Sequence, residues 1–125
     1  MFKIDSDKTI HLTRGDIAAI ELSLTNNNEQ YTFNADDVVR FKVIERKDCN
    51  CVVLYKDAVL EAEAESVIIN LDSNDTKIGE IINKPKDYWY EVEVNPDTAP
   101  QTVIGYDEDG AKIFRLYPEG SDINE

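Results

Sequence analysis

The sequence contains little glycine, proline, cysteine or histidine, and it lacks long apolar runs. Five glycines, four prolines and 8 alanines stand against 30 valine, isoleucine and threonine residues in 125. β-Branched residues favour strands, so this balance disfavours both a helical bundle and a disordered chain. No apolar run reaches the roughly 7–15 residues of a signal peptide or the roughly 20 of a membrane span. We therefore expect a protein made in the cytoplasm, without a signal peptide and without membrane insertion.

Basic residues are also scarce. The 13 lysines and arginines face 26 aspartates and glutamates, which gives a net charge of -13. Phosphate groups and anionic lipid surfaces are bound by clustered cations, so the charge excludes nucleic acid and membrane surfaces as partners. The length fits one compact domain, and we predict it over residues 1–118, followed by a frayed acidic tail over residues 119–125.

The sequence has few of the residues that bind metals or act in catalysis, with two cysteines and one histidine. Cys49 and Cys51 are two ligands where zinc needs four, and a disulfide across one residue closes a strained ring, so both are predicted to be reduced. His11 lies between Ile10 and Leu12 in a predicted strand, where its ring should face outward. No nucleophile motif accompanies it. We predict a protein that is not an enzyme and that has no metal and no cofactor.

Alternation of apolar and polar residues predicts strands along most of the chain. The clearest runs cover residues 18–25, 39–43 and 88–94, and they place Tyr88 and Tyr90 on the inward face. Shorter runs that fit strands lie at residues 9–12, 31–33, 52–55, 61–65 and 67–71. Closely spaced strands with polar turns predict an all-β fold, an antiparallel immunoglobulin-like β-sandwich of eight or nine strands.

Two local signals add detail to this fold. Residues 72–82 begin with capping residues, but Gly79 and Pro85 restrict them to one short helical crossing. Asp-Gly at the end of residues 107–110, between two alternating runs, predicts a hairpin.

Two motifs have both a functional and a structural interpretation. Arg14-Gly15-Asp16 matches the adhesion tripeptide of integrin ligands, but it stands between two strands, where Gly15 can form a bend. Residues 107–110 resemble part of a calcium loop, but Lys112 follows where an EF-hand would continue with ligands. We favour a turn in both places.

The aromatic strand offers a candidate contact surface. Alternation places Trp89 on the face opposite Tyr88 and Tyr90, where it projects towards a partner or a sugar, or else packs under the helical crossing. Trp89 and Tyr117 are the candidate partner-contact residues.

Six short segments, in order along the chain, follow the pattern of a known family. They lie at residues 10–16, with Thr13-Arg14-Gly15-Asp16, and at residues 31–33, 36–43, 75–79, 88–92 and 102–103. In this pattern the chain resembles the N-terminal domain of baseplate upper proteins, and related small tail proteins, of phages of Gram-positive bacteria.

The resemblance implies an antiparallel β-sandwich and a structural role in a virion or prophage, at the tail or baseplate. It implies protein–protein contacts with other tail or baseplate proteins or with a second copy of the chain, and it carries no catalytic residues. The alternative function is a carbohydrate-binding β-sandwich module that uses an exposed aromatic face around Trp89.

Overall fold

The computed structural model describes residues 1–26, 28–45 and 51–120. Within them the chain forms eleven strands and one four-residue helix. The strands are β1 (Phe2–Ile4), β2 (Ile10–Thr13), β3 (Ala18–Leu22), β4 (Thr25–Asn26), β5 (Glu29–Gln30), β6 (Val38–Glu45), β7 (Cys51–Val59), β8 (Val67–Leu71), β9 (Lys86–Val94), β10 (Gln101–Ile104) and β11 (Lys112–Tyr117). The all-β prediction is confirmed.

Most strands belong to one large mixed sheet of seven strands. Its order is β1-β2-β11-β9-β6-β7, and β10 also pairs with β9. Neighbours are antiparallel except β2 and β11, which run parallel. β3 and β8 form a small second sheet, and β4 pairs with β5.

Buried side chains from both sheets form one hydrophobic core. The predicted alternation is confirmed in β3, β6 and β9, where every second residue is buried over residues 18–22, 39–43 and 88–94. Three aromatic rings meet in this core: the ring centroid of Phe41 lies 5.5 Å from that of Tyr90 and 6.1 Å from that of Phe114. The large sheet therefore has an inner face on this core and an opposite, outer face.

The strands on either side of residues 107–110 do not form the predicted hairpin. β10 and β11 both pair antiparallel with β9, β10 beside Val92 and Val94 and β11 beside residues 86–90. Together they form one interrupted strand. The Asp-Gly turn closes a small loop, in which the amide of Gly110 donates to the carbonyl of Asp107 at 2.9 Å. The local residues therefore form the predicted turn, but the strands on either side of it pair with β9 and not with each other.

The predicted helical crossing is confirmed as a single turn, α1 (Ser73–Thr76). Asp72 caps it, since its carboxylate accepts the amide of Asp75 at 2.8 Å and the Asp75 carboxylate accepts the amide of Asp72 at 2.9 Å. The buried hydroxyl of Thr76 donates to the carbonyl of Asp16 at 2.8 Å. Among the described residues, no helix is long and apolar enough to cross a membrane.

Two predicted strands, residues 31–33 and 61–65, are each reduced to one bridging residue. Phe33 and Ala64 exchange backbone hydrogen bonds of 2.8 and 3.1 Å. The chain then turns at Asn34, whose amide donates to the Asp37 carboxylate, so the ladder ends there.

Two further predictions concern residues that the structure does not describe. Residues 121–125 of the predicted tail lie beyond the described part. Cys51 is disulfide-bonded, so the prediction of two reduced cysteines is wrong, and Cys49 lies outside the described residues.

Tyr90 should make the fold sensitive to alkali. Burial, together with the charge of Asp7, raises the pKa of Tyr90 from 10.0 to about 12, and its hydroxyl donates to the Lys8 carbonyl. The neutral ring therefore contributes stability that is fully present below pH 10 and is lost as pH rises through about 12. We expect Tyr90→Phe to lose less stability than wild type over this interval in denaturant titrations. Equal losses would contradict the assignment.

Candidate interaction face

Trp89 lies on the outer face of the large sheet, opposite the buried rings of Tyr88 and Tyr90. Pairing with the neighbouring strands places Ile44 of β6 and Ile113 of β11 directly beside it. Three large apolar side chains on three adjacent strands thus form a row, which we call the Trp89 row.

Tyr106 covers part of this row. Its ring centroid lies 5.7 Å from that of Trp89, at an interplanar angle of 45°. Tyr106 stands on the loop between β10 and β11 and is 69% exposed, whereas Trp89 is half-buried. Trp89 therefore neither projects fully into solvent nor is fully enclosed, so its exposure is intermediate between the two that were considered from the sequence.

An open cleft lies beside the two aromatic rings. It has a volume of about 480 Å³, and its lining also includes the polar side chains of Glu91 and Lys112. The ammonium of Lys112 already binds the carboxylate of Asp107 at 2.8 Å. The Glu91 carboxylate lies 3.9 Å from the Lys42 ammonium. The cleft can therefore offer aromatic surface to a ligand, together with a carboxylate that is already near a cation.

Cross-strand ion pairs surround the Trp89 row on the outer face. They are Arg115–Asp87, Lys42–Glu93 and Arg40–Asp57. The Arg115 guanidinium grips Asp87 through two contacts of 2.7 and 3.1 Å, which raises the pKa of Arg115. Cross-strand pairs of opposite charge stabilise a sheet modestly and fix the positions of its charged groups. The apolar row therefore lies in a frame of ordered polar groups.

Tyr117, the second candidate contact residue, lies on the same face but apart from Trp89. The Arg115–Asp87 pair stands between them. The Tyr117 hydroxyl is 2.7 Å from Nδ1 of His11, so this polar group is committed to a contact inside the molecule. The structure thus places both candidates on one face without bringing them together.

The ring of His11 lies on the outer face, as its position between Ile10 and Leu12 predicts, but other side chains cover it. The residue is only 6% exposed, because Tyr117 covers one side and Asp5 binds Nε2 at 2.7 Å. Both ring nitrogens have internal partners, and the cluster ties the first strands to the last.

The Arg14-Gly15-Asp16 segment forms the predicted turn and does not display its arginine. Arg14 is 8% exposed and donates to the carbonyls of Ile78 and Gly79, at 3.5 and 3.0 Å. Gly15 has a φ of +88°, a conformation that favours glycine. Burial of Arg14 leaves the adhesion interpretation without an accessible arginine.

The acidic loop at residues 107–110 is occupied by its own contacts. The Asp107 carboxylate accepts the amide of Asp109 at 2.9 Å as well as the Lys112 ammonium, and these contacts lower its pKa. In the part of the chain that the structure describes, no group of three or more His, Cys, Asp or Glu could hold a metal ion.

Salt should stabilise the protein, because 26 acids face only 13 cations. Mutual repulsion among surface carboxylates is screened over a Debye length of about 10 Å at 0.1 M. We expect the melting temperature to rise between about 20 and about 300 mM NaCl, with calcium adding nothing beyond its ionic strength. A rise with micromolar calcium, absent with magnesium, would show that the acids form a site.

Comparison with family models, with curated proteins and with solved structures finds no match to this chain.

Proposed function

We propose that the protein is a non-enzymatic structural protein of a phage or prophage tail or baseplate, located in the virion, which acts through protein–protein contacts. The sequence resemblance to baseplate upper proteins supports the assignment to a tail. The Trp89 row and Tyr106 support the mode of action. The partners we propose are other tail or baseplate proteins, or a second copy of the chain.

The observation that carries this proposal is the composition of the outer face. Protein interfaces are enriched in tryptophan, tyrosine and arginine, and their energetic centres are apolar groups surrounded by polar ones. The Trp89 row has that arrangement, with Tyr106 beside it and ion pairs around it. A rigid sheet presents these groups at little cost in conformational entropy.

We also propose the immunoglobulin-like sandwich as the finer description of the fold. Three observations support it: the parallel pairing of β2 with β11, the separate β3–β8 pair, and the helical crossing between β8 and β9. A core filled from both sheets is consistent with two sheets packed face to face.

The engaged state of His11 supports a role without catalysis. General acid–base or nucleophilic chemistry requires a group that can reach a substrate. His11 is the single histidine of the sequence, and both of its ring nitrogens are held by Asp5 and Tyr117.

Incorporation into particles tests the proposal. Tagged wild-type chain, supplied during phage growth, should purify with tail particles, and Tyr106→Ala should be incorporated about tenfold less. Ile68→Ala is the matched control, since Ile68 is exposed on the small sheet. A wild-type chain absent from particles would remove the tail assignment. Equal incorporation of all three would remove the proposed face.

The cleft beside Trp89 and Tyr106 favours a second candidate function, carbohydrate binding. Sugar rings stack on aromatic faces, and the Glu91 carboxylate could accept hydrogen bonds from hydroxyl groups. Trp89 is the single tryptophan, so tryptophan fluorescence, excited where the six tyrosines do not absorb, reports on this site alone. A saturable spectral change with bacterial cell-wall polysaccharide, lost in Tyr106→Ala, would favour this function. An unchanged spectrum would exclude it.

A further inference from the structure

Strand β7, which β8 of the small sheet approaches without pairing with it, is an edge strand of the large sheet. It is nine residues long, and within the described residues its hydrogen-bonded neighbour is β6 alone. From Leu54 to Val59 it contains neither a proline nor a register shift. Such an edge offers N–H and C=O groups to another extended chain. Its large, exposed apolar side chains are Val52, Val53, Tyr55 and Val59.

A hydrogen bond at the end of β7 shows which residues point their backbone N–H and C=O groups towards the unpaired edge. The amide of Leu60 donates to the carbonyl of Asp37 at 2.9 Å, towards the β6 side. Backbone groups of successive strand residues point to alternate edges. Leu54, Lys56 and Ala58 therefore also point their backbone N–H and C=O groups towards β6. The residues that direct their N–H and C=O groups outward are therefore Tyr55, Asp57 and Val59.

Acidic groups exceed basic groups on the outer face beside β7. Arg40 binds two carboxylates, that of Asp57 at 2.7 Å and that of Asp97 at 3.2 Å. The second carboxylate is highly exposed. One guanidinium shared by two carboxylates leaves a net negative charge next to the edge.

Acidic groups also exceed basic groups on the inner-face side of β7 and at its C-terminal end. The Lys56 ammonium lies 3.0 Å from the Asp75 carboxylate, and Asp72 adds to the negative charge that raises the pKa of Lys56. Three exposed glutamates follow β7 in the chain: Glu61, Glu63 and Glu65. Both sides of the edge, and its C-terminal end, therefore favour cations.

We propose that β7 accepts an extended segment of another protein as an added strand, and that this segment alternates apolar residues with lysine or arginine. Its backbone would bond to the three outward-directed residues. Its apolar side chains would cover exposed Val59 and Tyr55 on the outer face, and its cations would lie on the opposite face, beside the carboxylates of Asp75 and Asp72 near Lys56. A second copy is a poorer occupant, because each chain carries a net charge of -13. This docking edge does not depend on the tail assignment.

Binding of two designed peptides tests the chemistry of the occupant. A nine-residue fluorescent peptide of alternating valine and lysine, matched to the length of β7, should bind the full chain saturably in anisotropy titrations. The control peptide, with glutamate in place of lysine, should bind at least about tenfold more weakly at low salt. Equal binding of both peptides, or of neither, would overturn the proposal.

Proline substitution tests the edge itself. Tyr55→Pro removes an outward N–H and spares the β6 ladder, whereas Tyr55→Thr keeps that N–H and favours a strand. We expect Tyr55→Pro to weaken binding of the valine–lysine peptide by about tenfold and Tyr55→Thr to retain it. Val59→Pro and Val59→Thr repeat the comparison at the strand end if Tyr55→Pro fails to fold.

Two outcomes would contradict the proposal. Unchanged affinity in a folded proline variant would mean that the peptide binds by charge elsewhere. A wild-type dimer in sedimentation, converted to a monomer by either proline substitution, would mean that the edge belongs to a second copy.

Discussion

Phe41→Ala is expected to destabilise the protein by about 3–5 kcal/mol, the range for truncating a buried phenylalanine. Phe41 is 0% exposed and contacts the rings of Tyr90 and Phe114, so its removal leaves a cavity at the centre of the core. Domains of this size have total stabilities of about 5–15 kcal/mol, and the loss is therefore a large share of the whole. Urea denaturation followed by circular dichroism measures it.

Ile81→Ala is the control for this change. Ile81 is 65% exposed, so its truncation should alter the free energy of unfolding by less than about 0.5 kcal/mol. If Phe41→Ala cost no more than Ile81→Ala, the core would not be centred on the aromatic rings of the large sheet.

Arg14→Ala is expected to lower the free energy of unfolding by about 2 kcal/mol, because it removes the buried charged donor that two carbonyls accept from. Those carbonyls belong to Ile78 and Gly79, in the segment that follows α1. Arg14→Lys should lower the free energy of unfolding by less, because an ammonium keeps the charge. Some loss should remain, because an ammonium cannot reproduce the planar fork of donors. The measurement is again the free energy of unfolding. Equal stability of Arg14→Ala and wild type would mean that this residue is not structural.

The strands with regular alternation could be predicted because one of their faces is buried. Residues 18–22 and 88–94 show the period of two that a half-buried strand requires, and the structure buries the apolar set in each. The one-turn helix was also predictable, because capping residues and Pro85 act locally.

Strand pairing could not be predicted in the same way. The Asp-Gly signal near Gly110 describes four residues, whereas the pairing of β10 and β11 with β9 depends on contacts across the sheet. Residues 31–33 and 61–65 have strand-like composition, but the Asn34 turn stops their ladder after one bridge. Propensity favoured strands there, and tertiary context overrode it.

The candidate face was predictable only in part. Alternation placed Trp89 on the outer face, and the same alternation, continued from Arg40 through Lys42, would also have placed Ile44 there. Ile113 and Tyr106 depend on the register between strands and on a loop, which one sequence does not reveal. The burial of the His11 ring could not be predicted, because the side chain that covers it belongs to Tyr117, 106 residues away.

Photo-crosslinking from position 106 tests most directly whether the outer face contacts another tail protein. A photoreactive residue at Tyr106 samples the Trp89 row, and one at Ile68 samples the exposed side of the small sheet. In assembled particles, position 106 should crosslink to another tail or baseplate protein and position 68 should not. Crosslinks from position 68 alone, or from neither position, would contradict the proposed face.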